Sequence, residues 1–342
     1  MNKSRSFFAF SVLVCISRQS NAFVQPLAQG PHTKYTNPML QMSESDDNSV
    51  DLSKIKIMVN GMPGPMATAA AEACLRKGLE LAPVALTGPD VEPMTISVYD
   101  PDTDRASNVR ILPASESGME EMESKLEGLK SACGDDNLLV IDYTHPSAVN
   151  KNGKWYAKHK LPFVMGTTGG DREQLVEDVN AGNCPAVIAP NMGKQIVAMQ
   201  AALEELATKY PSAFGGYALD VKESHQKTKA DTSGTAKAVI QSLNTLSGGS
   251  FDVEKDINML RSDEESLAFG VKEDALKGHA FHTYTLTSGD GSVQFKLEHN
   301  VSGRRVYAEG TADAVKFLAK KIRVDDPKIF SMIDVLKEGA LE

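Results

Sequence analysis

The stretch Lys54-Ile-Lys-Ile-Met-Val59, continuing as Asn60-Gly-Met-Pro-Gly-Pro-Met66 and then Ala67-Thr-Ala-Ala-Ala-Glu-Ala-Cys-Leu-Arg-Lys77, decides the fold. Its first six residues alternate polar and apolar, as a half-buried strand does. Its last eleven are dominated by alanine, the strongest helix former, and Gly78 supplies a stop. Glu80 to Leu86 then reads as a second strand. Strand, glycine turn, helix and strand in that order open a dinucleotide-binding βαβ unit. Gly61 and Gly64 let the backbone approach a pyrophosphate, whose charge suits the helix N-terminus. Ala67 stands where a third glycine is usual, and Pro63 removes one N–H from the turn. The candidate cofactor contacts here are Gly61, Met62, Gly64, Pro65 and Met66.

The tip of the second strand, Thr87-Gly-Pro-Asp90, has no acid placed to hold ribose hydroxyls. A 2′-phosphate is therefore not repelled, which favours NADPH with NADH possible, and makes Thr87 a candidate contact. Short strands (95–98 and 109–112) and an acidic helix (115–132) follow. Leu138 to Thr144 is an apolar run of the fully buried type, stopped at His145-Pro146. A helix to His159, a strand ending in Gly166-Thr-Thr-Gly169, a helix over 172–181 and a strand over 186–189 lead to Pro190-Asn-Met-Gly-Lys194. Each of these loops taken singly is ordinary strand-end turn chemistry. All of them at strand C-terminal ends, in order, outline a cofactor cleft.

A helix (195–209) then joins a second region, where Tyr217 to Val221 reads as a strand. Glu223-Ser-His-Gln-Lys-Thr-Lys-Ala-Asp-Thr-Ser-Gly-Thr-Ala236 reads as a polar strand-to-helix loop, and 236–243 as the helix after it. A titratable histidine, lysines and a helix N-terminus in one loop suit proton-coupled chemistry on an acidic small molecule. The same composition also fits a solvated loop with a serine cap.

This loop resembles the signature loop of the dihydrodipicolinate reductases (4-hydroxy-tetrahydrodipicolinate reductases) of lysine biosynthesis, in their plant and algal form. The family's His, the Lys four residues on and Ser-Gly-Thr-Ala correspond to His225, Lys229 and Ser233 to Ala236. The resemblance covers residue 54 to the C-terminus. It implies that His225 donates a proton while a nicotinamide delivers hydride to a dihydropyridine dicarboxylate. It implies that Lys229, with Ser233, Gly234 and Thr235, holds a substrate carboxylate. Gln226 stands where the family has a second histidine, so any contact there is an uncharged amide hydrogen bond. Gly166, Thr167 and Thr168 match a loop that contacts ribose and nicotinamide, with Asp142-Tyr-Thr144 beside it. Ala189, Asn191 and Met192 match the segment that holds the carboxamide. A homo-oligomer, dimer or tetramer, is also implied. The alternatives are another two-domain NAD(P)-dependent dehydrogenase of a small acid, or a non-catalytic dinucleotide-binding regulator. Retention of both His225 and Lys229 counts against the regulator.

The expected fold is α/β: a Rossmann-type doubly wound parallel sheet over 51–193, completed by 304–342, and a second α+β domain with an open mixed sheet over 194–303. The second domain holds strands over 257–260, 279–286 and 293–298, with a turn at Ser288-Gly-Asp-Gly291. An amphipathic helix over 310–321 is expected to return to the nucleotide domain. Residues 1–50 read as a bipartite plastid presequence and linker: Lys3 and Arg5, an apolar run from Phe7 to Ile16, Ala22-Phe23, then a stretch to Met42 without acids. The mature protein is then stromal, and no membrane contact is expected of it. A net charge of −9 over 342 residues argues against nucleic acid. Of four cysteines, Cys15 falls in the presequence, and no CxxC occurs. No metal site is expected: there is no HExxH, and His279 and His282, three apart on a strand, face opposite sides.

Overall fold

The computed structural model describes residues 51–134, 137–324 and 328–339. The presequence reading over 1–50 lies outside them. After a short 3-10 turn come β1 (Lys56–Asn60), α1 (Pro65–Arg76), β2 (Glu80–Leu81), β3 (Val84–Thr87), β4 (Met94–Asp100), β5 (Arg105–Pro113) and α2 (Glu116–Cys133). Then follow β6 (Leu138–Asp142), α3 (Val149–Lys158), β7 (Phe163–Met165), α4 (Arg172–Ala181), β8 (Ala186–Ile188) and α5 (Lys194–Lys209). The chain continues with β9 (Ala218–His225), α6 (Gly234–Ser247), β10 (Asn258–Leu260), α7 (Asp263–Ala268), β11 (His279–Thr287) and β12 (Gln294–Ser302). It closes with α8 (Arg305–Lys321), β13 (Ile329–Phe330) and α9 (Met332–Lys337).

Six strands form a parallel sheet in the order β13-β8-β7-β6-β1-β2. All five residues of β6 are buried, as its unbroken apolar run demands of a strand covered on both faces. The second expected strand is in fact two. Pro83 lacks an N–H, so the ladder stops at Leu81 and the chain crosses into a separate sheet, β3-β5-β4. That third sheet was not anticipated. β3 stays tied to β1 through Gly61 N–H on Leu86 O (2.9 Å) and Leu86 N–H on Asn60 Oδ1 (2.8 Å).

The other sheet, β10-β9-β11-β12, is mixed, with β10 parallel to β9 and the rest antiparallel. Val221, Tyr284 and Leu286 on one face pack with Val239, Ile240 and Leu243 of α6 in a core of their own. Here the loop expectation is corrected: β9 runs on through Glu223, Ser224 and His225, whose backbones pair with His282, Phe281 and Ala280. The polar loop begins after His225.

Helix α8 starts at Arg305, five residues before its expected start at Gly310, and Arg305 pairs with Asp102 on the β4–β5 turn at 2.6 Å. Ala312, Ala314, Val315, Phe317 and Leu318 bury in the same core as β1 and β6. Gly310 lies mid-helix because a Cβ there would overlap the Met192 carbonyl oxygen. Gly310→Ala adds helix propensity worth about 1 kcal/mol at an exposed site. Here it is expected to lower stability by about 1–3 kcal/mol through overpacking, read as an earlier urea midpoint. An unchanged or later midpoint would contradict this seating of α8.

Candidate active site

The C-terminal ends of β1, β6 and β7 are locked by one buried carboxylate. Asp142 accepts Thr144 Oγ1 (2.8 Å), Thr167 Oγ1 (2.9 Å), Asn152 Nδ2 (2.9 Å) and Tyr156 O–H (2.6 Å). Tyr156 in turn accepts Asn60 Nδ2 at 2.9 Å. A buried polar group is costly unless partners satisfy it, and these four donors do so. The network aims the loops after these strands into a cleft of about 350 Å³. Met66, Gly166, Thr167, Thr168, Asn191 and Met192 line it, together with Tyr143 and Tyr307. Six expected cofactor residues from three separated segments thus meet at one place.

The remaining expected cofactor contacts fall around it. Gly61 has φ +102°, and a Cβ there would overlap the Tyr143 carbonyl. Gly64 is the N-cap of α1 with Pro65 first in the helix, and no side chain caps that terminus. Close backbone approach and an uncapped N-terminus fit a dinucleotide pyrophosphate. Gly166 lies under the Tyr143 ring, where a Cβ would overlap it. Thr87 is buried at the end of β3, and Ala189 is buried after β8. The side chain of Met62 is fully buried in the core, which leaves only its backbone to the turn.

The signature segment adjoins this cleft. Asn191 Nδ2 donates to Thr235 Oγ1 at 3.0 Å, and Asn191 Oδ1 accepts the Gly193 N–H at 2.8 Å. Thr235 opens α6, whose N-cap is Ser233. The Ser233 N–H is already taken, however, donating to Glu223 Oε2 at 3.0 Å. Gly234 has open space on its Cα. Lys229 Nζ pairs with Asp231 at 2.8 Å. Gln226 lines a neighbouring cavity of about 540 Å³ with Lys227, Thr228 and Asp263.

His225 is 7% exposed. Its Nδ1 lies 3.0 Å from the His279 carbonyl oxygen, which can only accept, so Nδ1 carries a hydrogen. Nε2 has no hydrogen-bond partner and faces Glu223 Oε1 at 3.8 Å. Burial, with the nearby His282 ring, pushes the His225 imidazole down to about 4 against the opposing pull of Glu223. Burial also works against the charge of Glu223, but His282 and Arg261 at its carboxylate outweigh it and hold the group at about 2.

Sequence reading missed two partners. Arg261 follows β10 and clamps Glu223 Oε1 (2.5 Å), the Glu223 carbonyl (3.1 Å) and the Lys229 carbonyl (2.8 Å). His282 packs its ring edge-on to His225 at 5.1 Å and contacts Glu223 Oε2 at 3.4 Å. The expected opposition of His279 and His282 holds: His279 turns away, to Ser224 Oγ at 2.8 Å. The expectation of no metal site meets a cluster it did not foresee, since ligand atoms of Glu223, His225 and His282 lie within 4.8 Å of one another.

The buried histidines make stability depend on pH. Burial, then His282, also lowers His299 to about 4. A histidine lowered from an unfolded value near 6.5 binds fewer protons when folded. Its contribution is complete above about 6.5 and is lost as pH falls toward about 4. Urea unfolding should therefore show stability falling over that window, with a shallower slope in His299→Phe. An identical slope in that variant would contradict the lowered proton affinity of the half-buried His299.

Comparison with known proteins bears on this geometry. Two family models match: dihydrodipicolinate reductase, N-terminus, over residues 55–192, and dihydrodipicolinate reductase, C-terminus, over 195–336. The chain is 44% identical over 307 residues to the chloroplastic 4-hydroxy-tetrahydrodipicolinate reductase 1 of Arabidopsis thaliana, covering 88% of this chain and 84% of that one. It is 45% identical over 286 residues to the probable chloroplastic reductase 2 of Oryza sativa subsp. japonica, covering 83% and 84%. Among solved structures, the dipicolinate-bound dihydrodipicolinate reductase of Paenisporosarcina sp. TG-14 shares the fold, with a TM-score of 0.52 and 17% identity, over 81% of this chain and 97% of that one.

Proposed function

The chain belongs to the dihydrodipicolinate reductase family, and from that premise we propose that it reduces 4-hydroxy-tetrahydrodipicolinate, or its dehydrated dihydropyridine form, to tetrahydrodipicolinate. It is an NAD(P)H-dependent oxidoreductase of lysine and diaminopimelate biosynthesis. The observation that carries the site reading is the Asn191–Thr235 hydrogen bond, which joins the nicotinamide-side cleft to the Ser-Gly-Thr turn beside His225. The cleft lined by Gly166 to Thr168, Asn191 and Met192 would hold a nicotinamide, whose chemistry when bound would be hydride supply to the substrate ring. His225 supplies the accompanying proton from Nε2, the nitrogen left without a partner. The imidazole is neutral before substrate arrives, and a dicarboxylate beside it favours the imidazolium. Lys229 releases Asp231 and turns to a substrate carboxylate, while Gly234 and Thr235 offer the turn to it. Arg261 holds the Lys229 backbone during this exchange.

Gly61, Gly64, Pro65 and Met66 form the pyrophosphate turn, and Gly166 to Thr168 with Ala189 to Met192 receive ribose and nicotinamide. The nucleotide module comprises 51–193 with 304–342, and the substrate module 194–303. The face of the mixed sheet away from α6, open along Lys222, Thr285 and Lys296, supports assembly as a homo-oligomer, dimer or tetramer. The chloroplastic relatives support plastid targeting, and the stroma is the compartment we assign.

With Thr87 buried and no acid at the tip of β3, NADPH should bind at least as tightly as NADH. Fluorescence titration of both decides it; NADH tighter by tenfold, about 1.4 kcal/mol, would contradict this reading of the tip. The pathway assignment is tested by expressing residues 51–342 in a bacterium stripped of its own reductase. Growth without added diaminopimelate is expected, and failure of a soluble, nucleotide-binding protein to restore it would overturn the assignment.

A further inference from the structure

Two adjacent arginines, Arg304 and Arg305, follow β12 at the start of α8. Arg305 is engaged, at 2.6 Å from Asp102 and 3.6 Å from Glu309. By contrast, among the described residues the half-buried Arg304 guanidinium has neither a hydrogen bond nor an ion pair. The acids Asp263, Glu273 and Asp274 line the neighbouring cavity of about 540 Å³, yet none of them pairs with it. A guanidinium drawn partly out of water without an anion forgoes the paired, charge-assisted bonds that its planar fork is shaped to make.

The place of Arg304 in the fold narrows what that anion is. Its guanidinium lies over Gly278, where a Cβ would come within 3.4 Å of Nη1. The next residue, His279, offers the carbonyl that holds His225 Nδ1 at 3.0 Å. One turn along α8, Tyr307 lines the cofactor cleft. Arg304 therefore stands where the strand end carrying His225 meets that cleft. The sheet order β10-β9-β11-β12 also puts two cations on opposite flanks of His225. On the β10 side, Arg261 donates to the Lys229 carbonyl at 2.8 Å and so holds Lys229 there. On the β11–β12 side lies Arg304. Adjacent strands are about 4.8 Å apart, so the two flanks are about 10 Å apart, a gap that two long side chains can close around one small ring.

We infer that Arg304 binds the second carboxylate of the substrate, the one that Lys229 and the Ser-Gly-Thr turn do not hold. This rests on the dicarboxylate reading of the site proposed above. A single cation would leave the other carboxylate desolvated and unpaired, which is costly. Anchors at both ends of the ring also stop it turning about either one, which fixes the reacting carbon against the nicotinamide side of the cleft. Lys229 belongs to the substrate module, and Arg304 opens the helix that completes the nucleotide module. A ligand with two acidic groups is gripped by both, and a ligand with one is not. Arg304 thus selects a dicarboxylate over a monocarboxylate.

The test is calorimetric titration of the full-length, NADPH-saturated protein with two probes, pyridine-2,6-dicarboxylate and pyridine-2-carboxylate. Wild type should prefer the dicarboxylate. Arg304→Gln should weaken the dicarboxylate roughly 10- to 150-fold and change the monocarboxylate by no more than about threefold. Arg304→Lys should regain part of the loss, because the charge remains while the fork is gone. Arg305→Gln, which removes contacts to Asp102 and Glu309, should bind the dicarboxylate as wild type does. NADPH affinity should match wild type in all three variants, which also shows that they fold. Unchanged dicarboxylate affinity in Arg304→Gln would overturn the proposal, as would equal losses for the two probes. So would a loss of NADPH affinity with the dicarboxylate preference intact, which would put the guanidinium on the nucleotide. A wild-type protein that binds NADPH but neither pyridine acid would instead sink the dicarboxylate reading itself.

Discussion

Replacing His225 with glutamine is expected to lower turnover by roughly 10²–10⁴-fold, the range that general acid catalysis supplies. Glutamine approximates the volume of the ring and can still donate to the His279 carbonyl, so the fold of β9 should survive. Nucleotide affinity should stay within about twofold of wild type, because His225 lies on β9 and not among the residues lining the cofactor cleft. Steady-state kinetics with a nucleotide titration separates these effects. A variant that retains more than about half of wild-type turnover would leave the loop an anion-binding cap, with the proton drawn from water.

Lys229→Ala should act on both kinetic constants. A hydrogen bond to a charged group is worth about 1.5–3 kcal/mol. Losing it from a substrate carboxylate lowers kcat/KM by roughly 10- to 150-fold. The apparent KM should rise because part of this interaction exists before the transition state, and turnover should fall because the rest develops with it. Among the described residues Lys229 pairs with the exposed Asp231, so stability should change by no more than about 1 kcal/mol. An unchanged KM would show that the lysine never leaves Asp231 for the substrate.

The first βαβ unit was legible because its signals are local. Alternation in β1, alanines in α1 and glycines at 61 and 64 each act within a few residues. The meeting of the candidate cofactor loops at one cleft was legible for a related reason: strand C-terminal ends of a parallel sheet share one edge, so loops far apart in sequence converge. What was not legible depends on pairing across distance. Glu223-Ser-His225 looked like loop because a buried acid is costly. It becomes the end of β9 only through Arg261 and β11, which no local pattern announces. His282 was seen, and its facing was read correctly, but its meeting with Glu223 needed the register of β11 on β9. Gly310 was read as the first residue of an amphipathic helix, but it lies inside α8. Its reason is the Met192 carbonyl in another part of the chain. Pro83 was the one local signal overlooked, and it marks the break that releases the third sheet.

The central claim is that His225, placed between the cofactor cleft and the Ser-Gly-Thr turn, serves the reduction of a cyclic dicarboxylate. The most direct measurement follows NADPH absorbance after adding the freshly made product of dihydrodipicolinate synthase to purified residues 51–342. The account predicts NADPH oxidation that requires both protein and substrate, is inhibited by pyridine-2,6-dicarboxylate, and nearly vanishes in His225→Gln. A folded protein that binds NADPH yet leaves it unoxidised under these conditions would contradict it.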